Sequence, residues 1–295
     1  MVHEPADLAW PRRHVLAAIA GGAALAAAGR RVHAQAAGTV YSVAVVPQFQ
    51  AADLHHDWTP LLERLSRATG CTLVLKLSAS IPRFESDVLA GGPDFAYLNP
   101  YHQLMAARAQ GYVPLVHNTQ LLSGILVVRK DDPIQHVSEL EGKEVAFPAP
   151  NALGASLYLR ALLAEREKVR IQPIYVQTHG NVYRQVMLGK SAAGGGVNQT
   201  LAQERDEVRN GLRVLMETPG VAPHPFSAHP RVPAALRAAL AEAFIGLASD
   251  PAGAALLKGV QMPRPIMADQ RRDYQVLESF KLEKYVVQEP SPGGS

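Results

Sequence analysis

The chain has 295 residues, 29 Lys+Arg against 26 Asp+Glu, a formal net charge of +3 and 47% apolar residues. This length and apolar fraction exclude a disordered or fibrous chain and allow two medium α/β lobes with real cores. Four arginines and two acids lie in residues 1–36; without them the balance is 25 − 24, or +1, too slight for an electrostatic nucleic-acid binder.

Residues 1–36 read as an export signal. Arg12 and Arg13 precede an apolar run over 15–28, and the small-residue exits Val32-His33-Ala34 and Ala34-Gln35-Ala36 place cleavage near residues 34–36. The run is about 14 residues, short of the roughly 20 that span a bilayer. The paired arginines point to a twin-arginine signal, while Pro11 keeps ordinary Sec export open. A periplasmic location follows. Cys71 is the sole cysteine, so no intrachain disulfide and no Cys-based metal site is possible; it reads as a buried thiol.

Residues 40–46 read as a first buried strand. Trp58, Leu61, Leu62, Leu65 and Ala68 then recur at helical spacing, with Asp57 as the expected cap and Gly70 as the stop. His55-His56-Asp57 reads as a polar loop rather than a metal site. Strands are expected at 72–77, 94–98 and 112–117, alternating with helices at 81–90 and 100–110. After an extended run at 124–129, strands at 145–147, 171–176, 192–197 and 212–217 alternate with helices at 152–166, 181–188 and 199–209. The tail reads as helices at 233–248, 251–258 and 269–280 without intervening strands, and 291–295 as a flexible end. The alternation predicts an α/β protein of two lobes, each a mostly parallel sheet flanked by helices. Residues 37–126 and 225–290 are assigned to the first lobe and 127–224 to the second. Two hinge crossings then leave an interlobe cleft at the strand ends.

Chemistry is sought at those ends. Tyr97, Asn99 and Tyr101 follow the third strand of the first lobe. Asn151, Ala152, Gly154, Ala155 and Ser156 form a small-residue turn into a helix, whose free N–H groups and dipole favour an anion. His179 and Tyr183 follow one strand of the second lobe, and Asn198 follows another. Gly154-Ala155-Ser156-Leu157-Tyr158 lacks the final glycine of a nucleophile elbow. No Walker, HExxH, EF-hand or GxGxxG pattern is present. No cofactor and no metal are expected.

Several of these stretches carry a family likeness. Val45-Val46-Pro47, Trp58-Thr59-Pro60-Leu61, the run 94–100, the run 137–147, Gln177-Thr178-His179 and Val186-Met187-Leu188-Gly189 resemble the phosphate/phosphite/phosphonate-binding proteins of ABC transporters, of the type II periplasmic binding-protein fold. The resemblance implies a two-lobed monomeric carrier without catalysis, a small oxyanion-like ligand and a membrane permease partner. It also implies that Tyr97 and Tyr101 match the family's aromatic region and His179 its histidine. The family's Ser/Thr-rich turn falls at 151–156, where most of its hydroxyls are missing. Acids that would bind an amine are absent from 192–203 and 219–233, which disfavours aminoalkylphosphonate. An exported ligand sensor of the same fold, or an esterase using Ser156 and His179, are the alternatives.

Overall fold

The computed structural model describes residues 38–287; the expected export signal and the tail at 291–295 lie outside them. The first sheet has the order β11-β4-β10-β3-β1-β2 and the second β7-β6-β8-β5-β9. In the first, β1 (Val40–Val45) is parallel to β2 (Thr72–Leu77) and β3 (Phe95–Tyr97). The return strand β10 (Pro225–Ala228) inserts antiparallel between β3 and β4 (Val113–Asn118), and β11 (Pro265–Met267) adds an antiparallel edge. In the second, β6 (Glu144–Phe147) is parallel to β7 (Gln172–Tyr175) and β8 (Ala193–Val197). There β5 (Gly124–Arg129) runs antiparallel between β8 and β9 (Leu212–Glu217). Four strands of each sheet thus share one direction, with β10 and β11 running against it in the first and β5 in the second.

Helix α1 (Ala51–Thr69) begins well before the expected cap. Leu54 is buried and lies one turn before Trp58, so the apolar stripe is 54, 58, 61, 62, 65. Asp57 is therefore interior to the helix, and His55 and His56 are exposed on it rather than in a loop. Pro60 lies inside the helix with its ring exposed. Trp58 packs on Tyr97 (4.9 Å between ring centroids), and Phe226 stacks on Phe95 at 5.5 Å and touches Phe244 at 4.8 Å. These rings tie α1, β3, β10 and α8 (Ala234–Leu247) into one core. Helices α2 (Ile81–Leu89) and α3 (Pro100–Gln110) complete the lobe with α9 (Pro251–Gly259).

In the second lobe the helical run 153–167, called α4, is built of a wide π-turn (Leu153–Leu157), one α-turn (Tyr158–Leu162) and a second π-turn (Leu163–Glu167). Helix α5 (His179–Met187) packs on the opposite face of the sheet. The expected helix at 199–209 is split into α6 (Asn198–Gln203) and α7 (Asp206–Gly211). The tail also departs from expectation: β11 interrupts it, and 270–285 is π-turn and 3-10 turns rather than regular helix. No single described helix is long and apolar enough to cross a membrane.

The crossings run side by side at 118–124 and 217–225. Leu122 and Val221 exchange two backbone hydrogen bonds (2.9 and 3.0 Å), and Gly124 binds Thr218 through both its N–H and its C=O. Strand β5 belongs wholly to the second sheet, so the first crossing precedes residue 126. The C-terminal segment does not stay with the first sheet. Phe280 stacks on Tyr158 of α4 at 4.8 Å, and Arg160 donates to the Tyr285 carbonyl at 2.9 Å.

Three successive glycines in β8 let helices press on both faces of the sheet. A methyl group at Gly194 would lie 2.5 Å from Val182 of α5, and one at Gly196 would lie within 3 Å of the Tyr183 ring. On the other face, a methyl at Gly195 would lie 2.0 Å from the Ala155 carbonyl oxygen and 2.4 Å from Phe147. Gly195→Ala should lower stability by about 3 kcal/mol through overpacking. Gly246→Ala, on the open face of α8, should raise it by about 0.5–1 kcal/mol. Urea midpoints of the two variants check both signs.

Candidate functional site

A small cavity opens where the two sheets face each other across the crossings. Its free space is about 10 Å³, room for about one water molecule. Val46, Ile81, Leu122, Leu153 and Val197 supply apolar walls, and Gln48, Asn99, His179 and His224 supply the polar side chains. Among the described residues no Lys, Arg, Asp or Glu lines it. Ala152, Gly154 and Ala155 bring the start of α4 to the wall, where first-turn N–H groups have no intrahelical acceptor.

Five of the expected residues therefore converge: Asn99, Ala152, Gly154, Ala155 and His179. The other six serve the surroundings. Tyr97 is packed in the first-lobe core between Trp58 and His224. Tyr101 is buried with Leu277 and Leu282 of the C-terminal segment. Asn151 spends its amide on Glu85 (3.2 Å) and on both backbone groups of Val287 (3.1 Å each). The Ser156 hydroxyl accepts from Arg160 at 3.1 Å and has no exposure. Asn198 caps the first crossing through Ser123 and Leu121. Tyr183 lies behind His179 and reaches it through Thr200.

His179 sits at the first residue of α5, after the Thr178 cap. Its N–H reaches the Gln48 carbonyl across the lobes at 3.4 Å. Its Nδ1 lies 3.0 Å from the Thr200 hydroxyl, which itself donates to the Val197 carbonyl at 3.0 Å and lies 2.8 Å from the Tyr183 hydroxyl. His224 stacks on Tyr97 at 5.4 Å, and its Nε2 meets the Gln48 amide nitrogen at 2.8 Å. Burial holds both imidazoles far below their usual range, to about 3, and their proximity to each other adds to this for His224. Both rings are therefore neutral at physiological pH. Asn99 caps α3, accepting from the His102 N–H at 2.8 Å and placing its amide nitrogen 3.0 Å from His102 Nδ1. Behind it, Glu85 stands 3.7 Å from His102 Nε2. Burial pushes Glu85 up, but hydrogen bonds and charge from His102 and the Asn151 amide outweigh it and leave the carboxyl below its usual range.

Gln48 and His224 were not foreseen. Gln48 follows Pro47 just past β1, and His224 stands between Pro223 and Pro225 in the return crossing. Both are strand-end positions once β10 is known to enter the first sheet. Outside the Gln48–His179 contact lies a wider chamber of about 340 Å³, bordered by Asp53, Asp57, Arg184 and Glu204. The carboxylates absent from the expected windows thus occur here, one residue beyond 203, and not in the inner cavity. Among the described residues no three His, Cys, Asp or Glu side chains converge as a metal site would.

The periplasmic substrate-binding family of ABC phosphonate transporters matches residues 43–274. The chain belongs to this family. Its fold is shared with a binding-protein component of an ABC phosphonate transporter from Pseudomonas aeruginosa (14% identity, 83% of this chain and 85% of that one, TM-score 0.72). It is also shared with PhnD1 from Prochlorococcus marinus in complex with methylphosphonate (14%, 83% and 99%, 0.75). A Xanthomonas citri protein bound to chloride ion is similar as well (17%, 84% and 99%, 0.69). No curated protein matches the chain. Membership of a phosphonate-binding, periplasmic transport family accounts for the two facing sheets and the double crossing.

The neutral imidazoles make stability depend on pH. In the unfolded chain each binds a proton near 6.5, in the native chain near 3. Between those values the unfolded state holds more protons, so stability falls as pH drops from 6.5 toward 3 and levels below that. Wild type should lose up to about 1.4 kcal/mol per pH unit more than H224Q in this window, measured by urea denaturation from pH 7 to pH 4.

Proposed function

We propose that this protein is the exported receptor of an ABC importer, capturing a small phosphonate-like solute in the cavity between its lobes. The observation that carries this reading is the convergence of Asn99, the start of α4 and His179 on one chamber from two sheets joined by paired crossings. A ligand there touches both lobes at once, so binding favours the shut form and a membrane permease can read the closure. Donors come from main-chain N–H groups and the Asn99 amide, and the apolar walls suit a carbon- or hydrogen-bearing phosphorus group.

Residues 1–36 act as the export segment, leaving a monomeric carrier in the periplasm, with 38–123 and 225–287 as one lobe and 124–224, which keeps β5 whole, as the other. The reading is of carriage and not turnover: the Ser156 hydroxyl is engaged by Arg160 and lies outside the cavity lining, so no nucleophile–base pair with His179 is assembled.

Thermal shift against phosphate, phosphite, methylphosphonate, sulfate and small carboxylates tests this. A phosphorus oxyanion should raise the melting temperature most, by mass action. His179→Ala should weaken its binding by about tenfold or more while the protein stays folded. Equal dissociation constants for wild type and H179A, or a carboxylate ranking first, would sink the reading.

A further inference from the structure

The hydroxyl of Thr200 has three close partners: the Tyr183 hydroxyl at 2.8 Å, the Val197 carbonyl at 3.0 Å and His179 Nδ1 at 3.0 Å. Each close pair needs one proton between its atoms. Thr200 has one proton, and the carbonyl can only accept, so that proton goes to Val197. Tyr183 and His179 Nδ1 must then both donate to Thr200. Any other assignment leaves two lone pairs facing each other. In a neutral imidazole this fixes the tautomer: Nδ1 carries the proton and Nε2 carries a lone pair. His179 lines the cavity, so the edge left for a ligand is the accepting one.

The surroundings reinforce this demand. The titratable groups around His179 are Tyr183 on its own helix and His224 before β10, with His102 of α3 and Glu85 of α2 one layer further out. Arg184 and Glu204 stand at Gly180, on the outer side. No cation lines the chamber among the described residues, while Glu85 is ionised behind Asn99. A dianion there would find the α4 N–H groups and the Asn99 amide but no cation, and would face a lone pair on His179.

Building on the capture reading above, we propose that His179 selects its ligand by protonation state. The cavity takes a small acid that still carries an O–H, such as a monoanionic phosphonate, and rejects fully ionised oxyanions. Thr200 is the positioning residue that holds the acceptor tautomer.

Calorimetric titration of the exported chain with three probes tests it. Methylphosphonate as monoanion has an O–H, methanesulfonate has the same shape and charge without one, and sulfate is a dianion without one. Methylphosphonate should bind at least about tenfold tighter than methanesulfonate, and sulfate should not bind. Above the second ionisation of methylphosphonate its apparent affinity should fall about tenfold per pH unit. In Thr200→Val, histidine ¹⁵N NMR should lose the Nδ1–H signature, and the preference over methanesulfonate should shrink toward one. Equal binding of methanesulfonate, a flat pH profile, or a T200V variant that weakens both probes alike would overturn the proposal while leaving oxyanion capture standing. Absence of heat with all three would overturn capture of oxyanions itself, and the selection with it.

Discussion

The backbone at the start of α4 lies closer to the second sheet than any side chain would permit, and the site's geometry descends from that closeness. The Gly154 carbonyl oxygen would stand 2.1 Å from a methyl at Gly124, and the Ala155 oxygen 2.0 Å from one at Gly195. The glycines therefore act from beneath the site. They let the helix start sink onto β5 and β8, so that Ala152, Gly154 and Ala155 face the first lobe at the crossings. The wide π-turn over Leu153–Leu157 belongs to the same compromise, since it lets both Ser156 and Leu157 donate to the Ala152 carbonyl and re-aims the first turn.

The chamber so formed is small and poor in charge, which decides its electrostatics. Its polar partners are neutral groups whose hydrogen bonds are mostly committed: Asn99 to His102, Gln48 to His224, and His179 to Thr200. In a low dielectric such committed dipoles are stiff and do not reorganise for a new charge. Recognition then rests on which lone pairs and protons remain available, and total charge counts for less.

Much of this was legible in the sequence at the level of elements. Alternating periodicity placed the strands that carry Asn99, the α4 start and His179, and the resemblance singled out the same stretches. What periodicity could not supply was direction. Tyr97 looks like a cleft residue by position, but β3 pairs with β1 and β10 in a register that turns its ring onto Trp58. Asn151 looks like a free donor until Glu85 and Val287 arrive from distant parts of the chain, whereas the Ser156 hydroxyl is taken by Arg160 one turn on in the same helix. His224 was invisible for the converse reason. Its segment reads as a Pro-rich return loop, and it becomes a cavity wall through the insertion of β10 between β3 and β4. Long-range pairing assigns such roles, and no local spacing encodes it.

The small size of the cavity constrains how any solute enters. With about 10 Å³ free, the sheets must separate before a phosphonate-sized group can pass. Separation breaks the contact between the His179 N–H and the Gln48 carbonyl and the bonds from Asn151 to Glu85, which join the two lobes. The C-terminal segment resists too, because it holds α4 through Arg160 and Tyr158 while Arg108 of α3 pairs with its Glu278 at 2.8 Å. The paired crossings at Leu122 and Val221 can flex without losing their mutual bonds, since both belong to the same two-stranded ribbon. Opening is thus a rotation about that ribbon against a latch of polar contacts. Entry waits on breaking that latch, and the ligand's apparent affinity scales with the fraction of molecules in the open, binding-competent form.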